Sequence, residues 1–204
     1  MITYVPDNLW GEMLPSIDNA ELYRCCLETE KYLIDEVIIE DPLRNYGSNE
    51  GPLRKGSKTT AAYSQYNLLT MPLRPFQDLY YSMVAVMKPC LPDETHMLQC
   101  WLNVFRRGEH IDWHGHWHKK YRAIHGFYCV NVTPSFTEYE YDHLPGEVYK
   151  VESKEGLLVF GKSNGDHHRS SPWQDYNNPR VTIAFDIVPI ATMDKVYLNH
   201  FLPF

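Results

Sequence analysis

Residues 101–118, WLNVFRRGEHIDWHGHWH, carry the side chains with the clearest chemical potential. Asp112, His114, His116 and His118 stand at every second position of this stretch. In an extended strand such residues share one face, so a strand here is predicted to present a row of imidazoles and a carboxylate. These groups are common ligands of zinc and of redox-active metals. His114 and His116 are therefore predicted to hold a metal ion.

A secure site needs a third ligand, and the best candidates follow about fifty residues later at His167 and His168. A sheet that folds back on itself would bring this pair to the first two histidines. Three protein ligands on one side of a metal leave positions open, as an oxygen-activating iron requires. A histidine-rich surface strand without any metal is the simpler alternative.

Length and composition indicate one ordinary globular domain over residues 1–204, with 44% hydrophobic and 22% charged residues. The net charge of −7 disfavours a nucleic-acid partner. One local basic cluster is the exception and consists of Arg106, Arg107, Lys119, Lys120 and Arg122.

Cysteine usage and the N-terminus indicate the compartment. The five cysteines are odd in number and form no CxxC pattern, which favours reduced thiols. The N-terminus has no basic and apolar leader, and no window approaches eighteen apolar residues. A cytoplasmic protein without a membrane segment is therefore expected.

Helical periodicity predicts a helix from Asp18 or Asn19 to about Val37 and a second helix over 75–88. Residues 1–17 are predicted to be irregular, and 41–60 to be a loop that could act as a lid. From Met97 onward, short β-branched and aromatic runs predict strands. The predicted strands span 97–106, 111–118, 123–132, 147–152, 156–161, 167–171 and 180–188.

Helices followed by many short strands indicate an α+β fold. The strands at 97–188 fit a jelly roll, that is a double-stranded β-helix, with the N-terminal helices packed on one sheet and 189–204 as a C-terminal tail. The loop 41–60 and the segment 133–146 are the expected positions of substrate recognition, since rigid scaffolds carry recognition on loops.

Several motifs within 98–188 resemble the Fe(II)/2-oxoglutarate-dependent dioxygenases, including prolyl-hydroxylase-like members and oxygenases with a W-H-x-H motif. Asn103 and Gly108 precede His114 and His116 with the family's spacing of five residues between glycine and histidine. The other matching segments are Gly126–Val130, Glu155–Phe160 and His168–Pro172. The resemblance implies Fe(II) bound by His114, His116 and His168, with His168 preferred over His167.

Arg180 and Thr182, beginning twelve residues after His168, resemble the family's R-x-S pair. The resemblance implies that they hold the far carboxylate of 2-oxoglutarate, which a guanidinium can bind through two hydrogen bonds. In a strand they share a face, and the apolar residues at the alternate positions of 180–188 point to the other face. The remaining candidates for the pocket wall are Tyr128, Asn103 and Trp101.

The implied reaction is an Fe(II)- and 2-oxoglutarate-dependent hydroxylation of a protein side chain or small molecule. His116 stands where the family usually has a carboxylate, so it either ligates iron or leaves that position open. Asp112 is then expected to fix the tautomer of an imidazole rather than to bind metal.

Two alternatives stay open. One is a cupin-type three-histidine metal dioxygenase, which shares the glycine and histidine spacing and needs no role for Arg180. The other is a non-catalytic jelly-roll binding protein whose histidines only resemble a site.

Overall fold

The structure is a computed structural model that describes residues 1–32, 58–59, 67–193 and 201–204. Within these residues the chain is mostly β-sheet with two α-helices. The strands are β1 (Ile2–Val5), β2 (Leu9–Met13), β3 (Lys58–Thr59), β4 (His96–Phe105), β5 (Ile124–Asn131), β6 (Phe136–Tyr141), β7 (Tyr149–Glu152), β8 (Leu157–Lys162), β9 (Asp166–Ser170), β10 (Arg180–Pro189) and β11 (Leu202–Pro203). The helices are α1 (Asn19–Glu30) and α2 (Arg74–Met87).

The strands form a large sheet and a small sheet. The large sheet has the order β1-β2-β8-β5-β10-β4-β11, and β3 pairs with β4. The small sheet has the order β7-β6-β9. The long central strand β10 is antiparallel to β4 on one side and to β5 on the other, with Thr182 opposite both Asn103 and Cys129.

Both helices begin where the local chemistry predicts, and α2 also ends there. The Asp18 side chain accepts a hydrogen bond from the Glu21 backbone N–H at 3.1 Å and so caps α1. Pro75 lies in the first turn of α2, where its missing N–H costs nothing. Pro89 follows in a short 3₁₀ turn, Lys88–Cys90, that closes this helical segment.

The helices cover one face of the large sheet with an apolar layer. Leu22 and Cys26 of α1, together with Phe76 and Leu79 of α2, are fully buried there. The sheet side of this layer includes the alternate residues of β10 that the sequence placed on one face. These are Val181, Ile183, Phe185 and Ile187. The opposite face of β10 is thereby left to face the small sheet.

Six of the seven predicted strands are confirmed within one or two residues at each end: 97–106, 123–132, 147–152, 156–161, 167–171 and 180–188. The predicted strand 111–118 is wrong. This segment is a loop that touches β9 through an isolated bridge between His114 and His168. Its polar residues alternate as in a strand, but the segment lacks the regular backbone pairing of one.

Three other predictions need correction or lie outside the described residues. Residues 1–17 are not irregular, because β1 and β2 form an antiparallel hairpin there. The segment 133–146 is not only a loop, because β6 forms the centre of the small sheet within it. Of the loop predicted over 41–60, only the short strand β3 is described; the predicted helix end at Val37 also lies outside the described residues.

The C-terminal segment 189–204, predicted as a tail, contributes a strand: Leu202 of β11 pairs with Leu98 of β4. All five cysteines are free thiols, as their spacing predicted. In the part of the chain that the structure describes, no helix has the length and apolar character to cross a membrane.

Candidate active site between the two sheets

A cavity of about 350 Å³ lies between the inward faces of the large and small sheets. Its volume is in the range of small-molecule and cofactor sites. Alternate residues of β4 and β10 line one side, because neighbouring residues of paired strands point the same way. The lining residues are Gln99, Trp101, Asn103, Phe105, Ile111, His114, Gly115, His116, Gly126, Phe127, Thr137, His168, Ser170, Arg180, Thr182, Ala184 and Asp186.

The loop between β4 and β5 carries two of the histidines and is tied to β9. Gly108 begins the turn with a φ of 81°, a conformation that favours glycine, and its N–H donates to the Trp173 carbonyl at 2.8 Å. His114 and His168 then exchange two backbone hydrogen bonds of 3.1 and 2.9 Å. A side chain at Gly115 would place its Cβ 3.0 Å from the Asp166 carbonyl, so glycine favours this close approach of the loop.

His114, His116 and His168 converge on one point of the cavity. One ring nitrogen from each histidine lies within 4.8 Å of the other two. The rings of His114 and His168 are the nearest pair, with centroids 4.3 Å apart. The structure therefore brings together the three residues that the sequence predicted as metal ligands.

Hydrogen bonds fix which nitrogen of two of these rings can bind a metal. Nδ1 of His114 lies 2.8 Å from the backbone carbonyl of Asp112, and Nδ1 of His116 lies 2.8 Å from Oδ1 of Asp186. A carbonyl and a carboxylate only accept hydrogen bonds, so each Nδ1 must be the donor. The lone pair of each ring is then on Nε2, as in many metal-binding histidines.

Burial keeps two of the imidazoles neutral. Burial and, to a smaller extent, the nearby His116 lower the pKa of His114 to about 4. Burial likewise lowers the pKa of His168 well below its ordinary value. A neutral imidazole can present a lone pair to a metal, whereas a protonated one cannot. The donor set therefore fits a divalent transition metal.

A second group of possible ligands, His125, Asp166 and His168, lies deeper than the first. His125 Nε2 is 2.8 Å from Asp166 Oδ2, and His168 Nδ1 is 3.5 Å from the same oxygen. These contacts have ion-pair distances, but their directions do not satisfy hydrogen bonds. Neither His125 nor Asp166 lines the central cavity, so a metal held there would not face bound molecules. The first group is the better candidate for chemistry.

The charge of Asp166 sets the ionisation around it. Burial lowers the pKa of His125, but the adjacent carboxylate more than offsets this and the net pKa is raised. Burial alone would raise the pKa of Asp166, but His125 and His168 hold it well below its usual range. The pair is thus an internal ion pair next to His168.

Arg180 is the first residue of β10, and its side chain lines the cavity. Its side chain is 3% exposed, and its Nε donates to the Ser135 hydroxyl at 3.2 Å. Burial lowers the pKa of its guanidinium, which still stays charged at neutral pH. Among the described residues no carboxylate lies within ion-pair distance of it. A buried guanidinium without a carboxylate is unfavourable until an anion binds.

Thr182, Asn103 and Trp101 line the cavity beside Arg180, in the positions that the sequence suggested. Tyr128 does not. It lies on the helical face of β5, and its hydroxyl is 2.7 Å from Oδ1 of Asn19. The structure removes Tyr128 from the predicted cofactor-binding set because its strand position directs it away from the cavity.

Asp112 acts differently from the prediction. Its backbone carbonyl fixes the tautomer of His114, whereas its carboxylate lies 3.3 Å from Nε2 of His110. His118 points elsewhere, since its Nδ1 accepts a hydrogen bond from the backbone N–H of Lys120 at 3.2 Å. His167 is exposed on the outer face of β9, so His168 is the inward member of that pair.

The sequence reasoning missed three residues next to the histidines: His125, Asp166 and Asp186. A signal for two of them was available. Asp166 stands two positions before His168, and Asp186 stands six positions after Arg180, so each shares the inward face of its strand. The third, His125, had no comparable signal, because the strand around it gave no reason to prefer one face.

Three of the five residues of the predicted basic cluster contact partners within the protein. Arg106 forms an ion pair with Glu30, and Arg122 forms one with Glu94 at 2.9 Å. The guanidinium of Arg107 lies over the ring of Tyr176. Paired cations are poorly placed to neutralise phosphates.

No protein-family model and no curated protein matches the sequence. Solved structures do resemble it, and they are 2-oxoglutarate/Fe(II) oxygenases. EvdMO1 matches with a TM-score of 0.60 at 15% identity, over 90% of this chain and 48% of EvdMO1, so this chain spans about half of that protein. AviO1 from Streptomyces viridochromogenes Tue57 matches with a TM-score of 0.58 at 15% identity, over 92% of each chain.

The viral collagen prolyl hydroxylase vCPH from Paramecium Bursaria Chlorella virus-1, solved as a 2OG complex, is also similar. Its TM-score is 0.56 at 9% identity, over 92% of this chain and 97% of vCPH. At such identities the likeness shows the fold alone. The resemblance predicted from the motifs is confirmed at that level: this chain has the fold of the 2-oxoglutarate/Fe(II) oxygenases.

Proposed function

We propose that this protein is an Fe(II)- and 2-oxoglutarate-dependent dioxygenase that hydroxylates a small molecule or a protein side chain. In this proposal the two facing sheets are the double-stranded β-helix of such enzymes. A cytoplasmic location, which would keep the five thiols reduced, stays a prediction.

The observation that carries the proposal is the pairing of a three-histidine cluster with a buried Arg180 in one cavity, where no carboxylate of the described residues neutralises the guanidinium. A metal alone would explain the histidines but not the guanidinium. A dicarboxylate that chelates a metal with one end needs a cation for its other end. Arg180 fits that need, with Thr182 beside it as a further hydrogen-bond donor.

His114, His116 and His168 would hold the iron in this proposal. Bound Fe(II) together with 2-oxoglutarate supplies oxidative chemistry at a C–H bond, with succinate and carbon dioxide as co-products. The protein fixes the tautomers of His114 and His116, keeps His114 and His168 neutral by burial, and surrounds the site with the walls of the two sheets. Trp101 and Phe127 form apolar parts of those walls, which limit the access of water.

The proposal is tested by incubating the protein with Fe(II), 2-oxoglutarate and oxygen and by measuring succinate. We expect succinate formation that requires added Fe(II) and falls sharply in Arg180→Ala. Arg169→Ala is the matched control, because Arg169 pairs with Glu138 on the outer side of the small sheet and should leave the activity unchanged. Absence of both succinate formation and 2-oxoglutarate binding would contradict the proposal.

One observation favours a second candidate, a cupin-type three-histidine dioxygenase. All three converging ligands are imidazoles, and no carboxylate of the described chain joins this group. Such an enzyme would use the metal without 2-oxoglutarate. Oxygen consumption that depends on metal but not on 2-oxoglutarate, and that is unchanged in Arg180→Ala, would favour this candidate.

A further inference from the structure

Asp186 is the carboxylate nearest to the three-histidine cluster on its β10 side, and the predicted chemistry gives it no role. Its Oδ1 lies 2.8 Å from Nδ1 of His116, and its Oδ2 accepts a hydrogen bond from Nε1 of Trp117 at 2.9 Å. The side chains of both His116 and Asp186 are 10% exposed. Both carboxylate oxygens are therefore engaged, and the group is held in one orientation.

In the described part of the chain the charge of Asp186 is met by histidines, and no lysine or arginine reaches it. Nδ1 of His116 donates to its carboxylate, and the buried His125, which also pairs with Asp166, lies opposite it on β5. A buried carboxylate is costly unless a positive charge lies close to it. A metal cation bound to Nε2 of His116 would supply that positive charge on the far side of the imidazole ring. The ring is a more basic ligand when its Nδ1–H donates a hydrogen bond to a carboxylate.

Asp186 lies where it can provide the negative charge that the three-histidine cluster lacks. With three neutral imidazoles, a divalent metal carries one more positive charge than it would beside two histidines and a carboxylate. Asp186 restores one negative charge at the distance of a single ring. It is also on the same face of β10 as Arg180, so one strand positions both groups.

We propose that Asp186 is a positioning residue that, through His116, supplies the negative charge that a directly bound carboxylate would otherwise give to the metal. This inference rests on the proposed function only for the metal ligands, and not for 2-oxoglutarate or the reaction. It assigns His116 as a ligand and explains why histidine is tolerated at that position.

The test is a double-mutant cycle of Co(II) affinity, measured by absorption titration against a competing chelator. The proteins are the wild type, Asp186→Asn, His116→Asp and the double variant. Asp186→Asn keeps the size of the side chain but removes its charge, and we expect affinity to fall by about 10–100-fold. In the His116→Asp background the metal already has a carboxylate, so we expect the same change at Asp186 to cost less than about threefold.

Equal losses of Co(II) affinity in both backgrounds would overturn the proposal, because they would indicate a structural role that does not depend on charge. An unchanged affinity in Asp186→Asn would overturn it as well. Glu138→Gln is the control, since it neutralises a carboxylate that pairs with Arg169 outside the cavity, and it should not change Co(II) binding.

Trp117→Phe distinguishes the effect of the charge on Asp186 from the effect of its packing. It also keeps the proposal testable if the Asp186 variants fold poorly. It removes the hydrogen bond to Oδ2 of Asp186 but leaves the carboxylate charged. We expect a loss of Co(II) affinity of only a few-fold, the effect of one hydrogen bond. A loss as large as that in Asp186→Asn would contradict the role of charge. Normal Co(II) binding without 2-oxoglutarate turnover would instead refute the proposed function and leave the cycle informative.

Discussion

The two faces of β10 have opposite characters although both are buried. One face packs under the helices and consists of Val181, Ile183, Phe185 and Ile187. The other faces the small sheet and consists of Arg180, Thr182, Ala184 and Asp186. The first face is stabilised by apolar contacts alone, and the second holds two ionisable groups at low exposure.

The difference shows that burial alone does not distinguish a core from a site. Arg180 and Asp186 cannot neutralise each other directly, because six residues of strand separate them by about 20 Å. Each charge must be met locally. Asp186 contacts His116, and in our proposal a bound anion meets Arg180. The polar face would then serve ligand binding, and the apolar face serves stability.

Removal of a histidine from the polar side should have the largest effect. His168→Ala is expected to abolish Co(II) binding and Fe(II)-dependent succinate formation, beyond the roughly 10–100-fold loss that follows removal of a partner behind a ligand. Absorption titration and succinate assays measure both effects. His118→Ala is the control, because its ring only accepts a hydrogen bond from the Lys120 backbone and it should behave as the wild type.

Replacement of the buried cation should affect binding and not folding. Arg180→Met is expected to raise the KM for 2-oxoglutarate by at least about 30-fold, or about 2 kcal/mol, because the distant carboxylate loses its charged partner. Its Tm should not fall, since the substitution removes a buried charge that no carboxylate among the described residues neutralises. A lowered Tm with an unchanged KM would show that Arg180 is structural.

Truncation of a side chain on the apolar face should lower stability and leave 2-oxoglutarate binding unchanged. Phe185 is fully buried and packs close to Gly126, where an added Cβ would lie 2.7 Å from its ring. Phe185→Ala should lower the free energy of unfolding by about 3–5 kcal/mol, measured by denaturant titration. The KM for 2-oxoglutarate should stay unchanged while the variant is folded, and a selective change in that KM would contradict the separation of the two faces.

The smallest effect is expected at Tyr128, which lies on the apolar face of the neighbouring strand. Tyr128→Phe removes its hydrogen bond to Asn19 and should lower the free energy of unfolding by about 1 kcal/mol. Succinate formation should be unaffected. A clear loss of 2-oxoglutarate affinity in this variant would return Tyr128 to the cofactor site.

Much of the large sheet could be predicted from the sequence because its strands repeat simple patterns. Residues 180–188 alternate between a polar and an apolar face in the part nearest Arg180, so both the strand and its two faces were readable. Periodicity alone leaves the choice between His167 and His168 open. The choice of His168 and the role of Arg180 come from the resemblance to the dioxygenase motifs and their spacing.

Other features depend on contacts that no local pattern reveals. The histidines of 111–118 alternate like a strand, but Gly115 lets this loop pass close to the Asp166 carbonyl and it leaves β9 after His114. The strand β6 was hidden by the turn-like residues around it. The inward face of Asp186 was readable, but its contact with His116 was not, because the two residues are 70 positions apart in sequence.

The central claim is that the charged face of β10 binds 2-oxoglutarate next to a metal on the three histidines. Calorimetric titration of 2-oxoglutarate into the Co(II)-loaded protein under anaerobic conditions tests it most directly. We expect one site per chain, with binding that is lost without metal and at least about 30-fold weaker in Arg180→Met. Equal binding in the presence and absence of Co(II), or equal affinity in Arg180→Met, would contradict the claim.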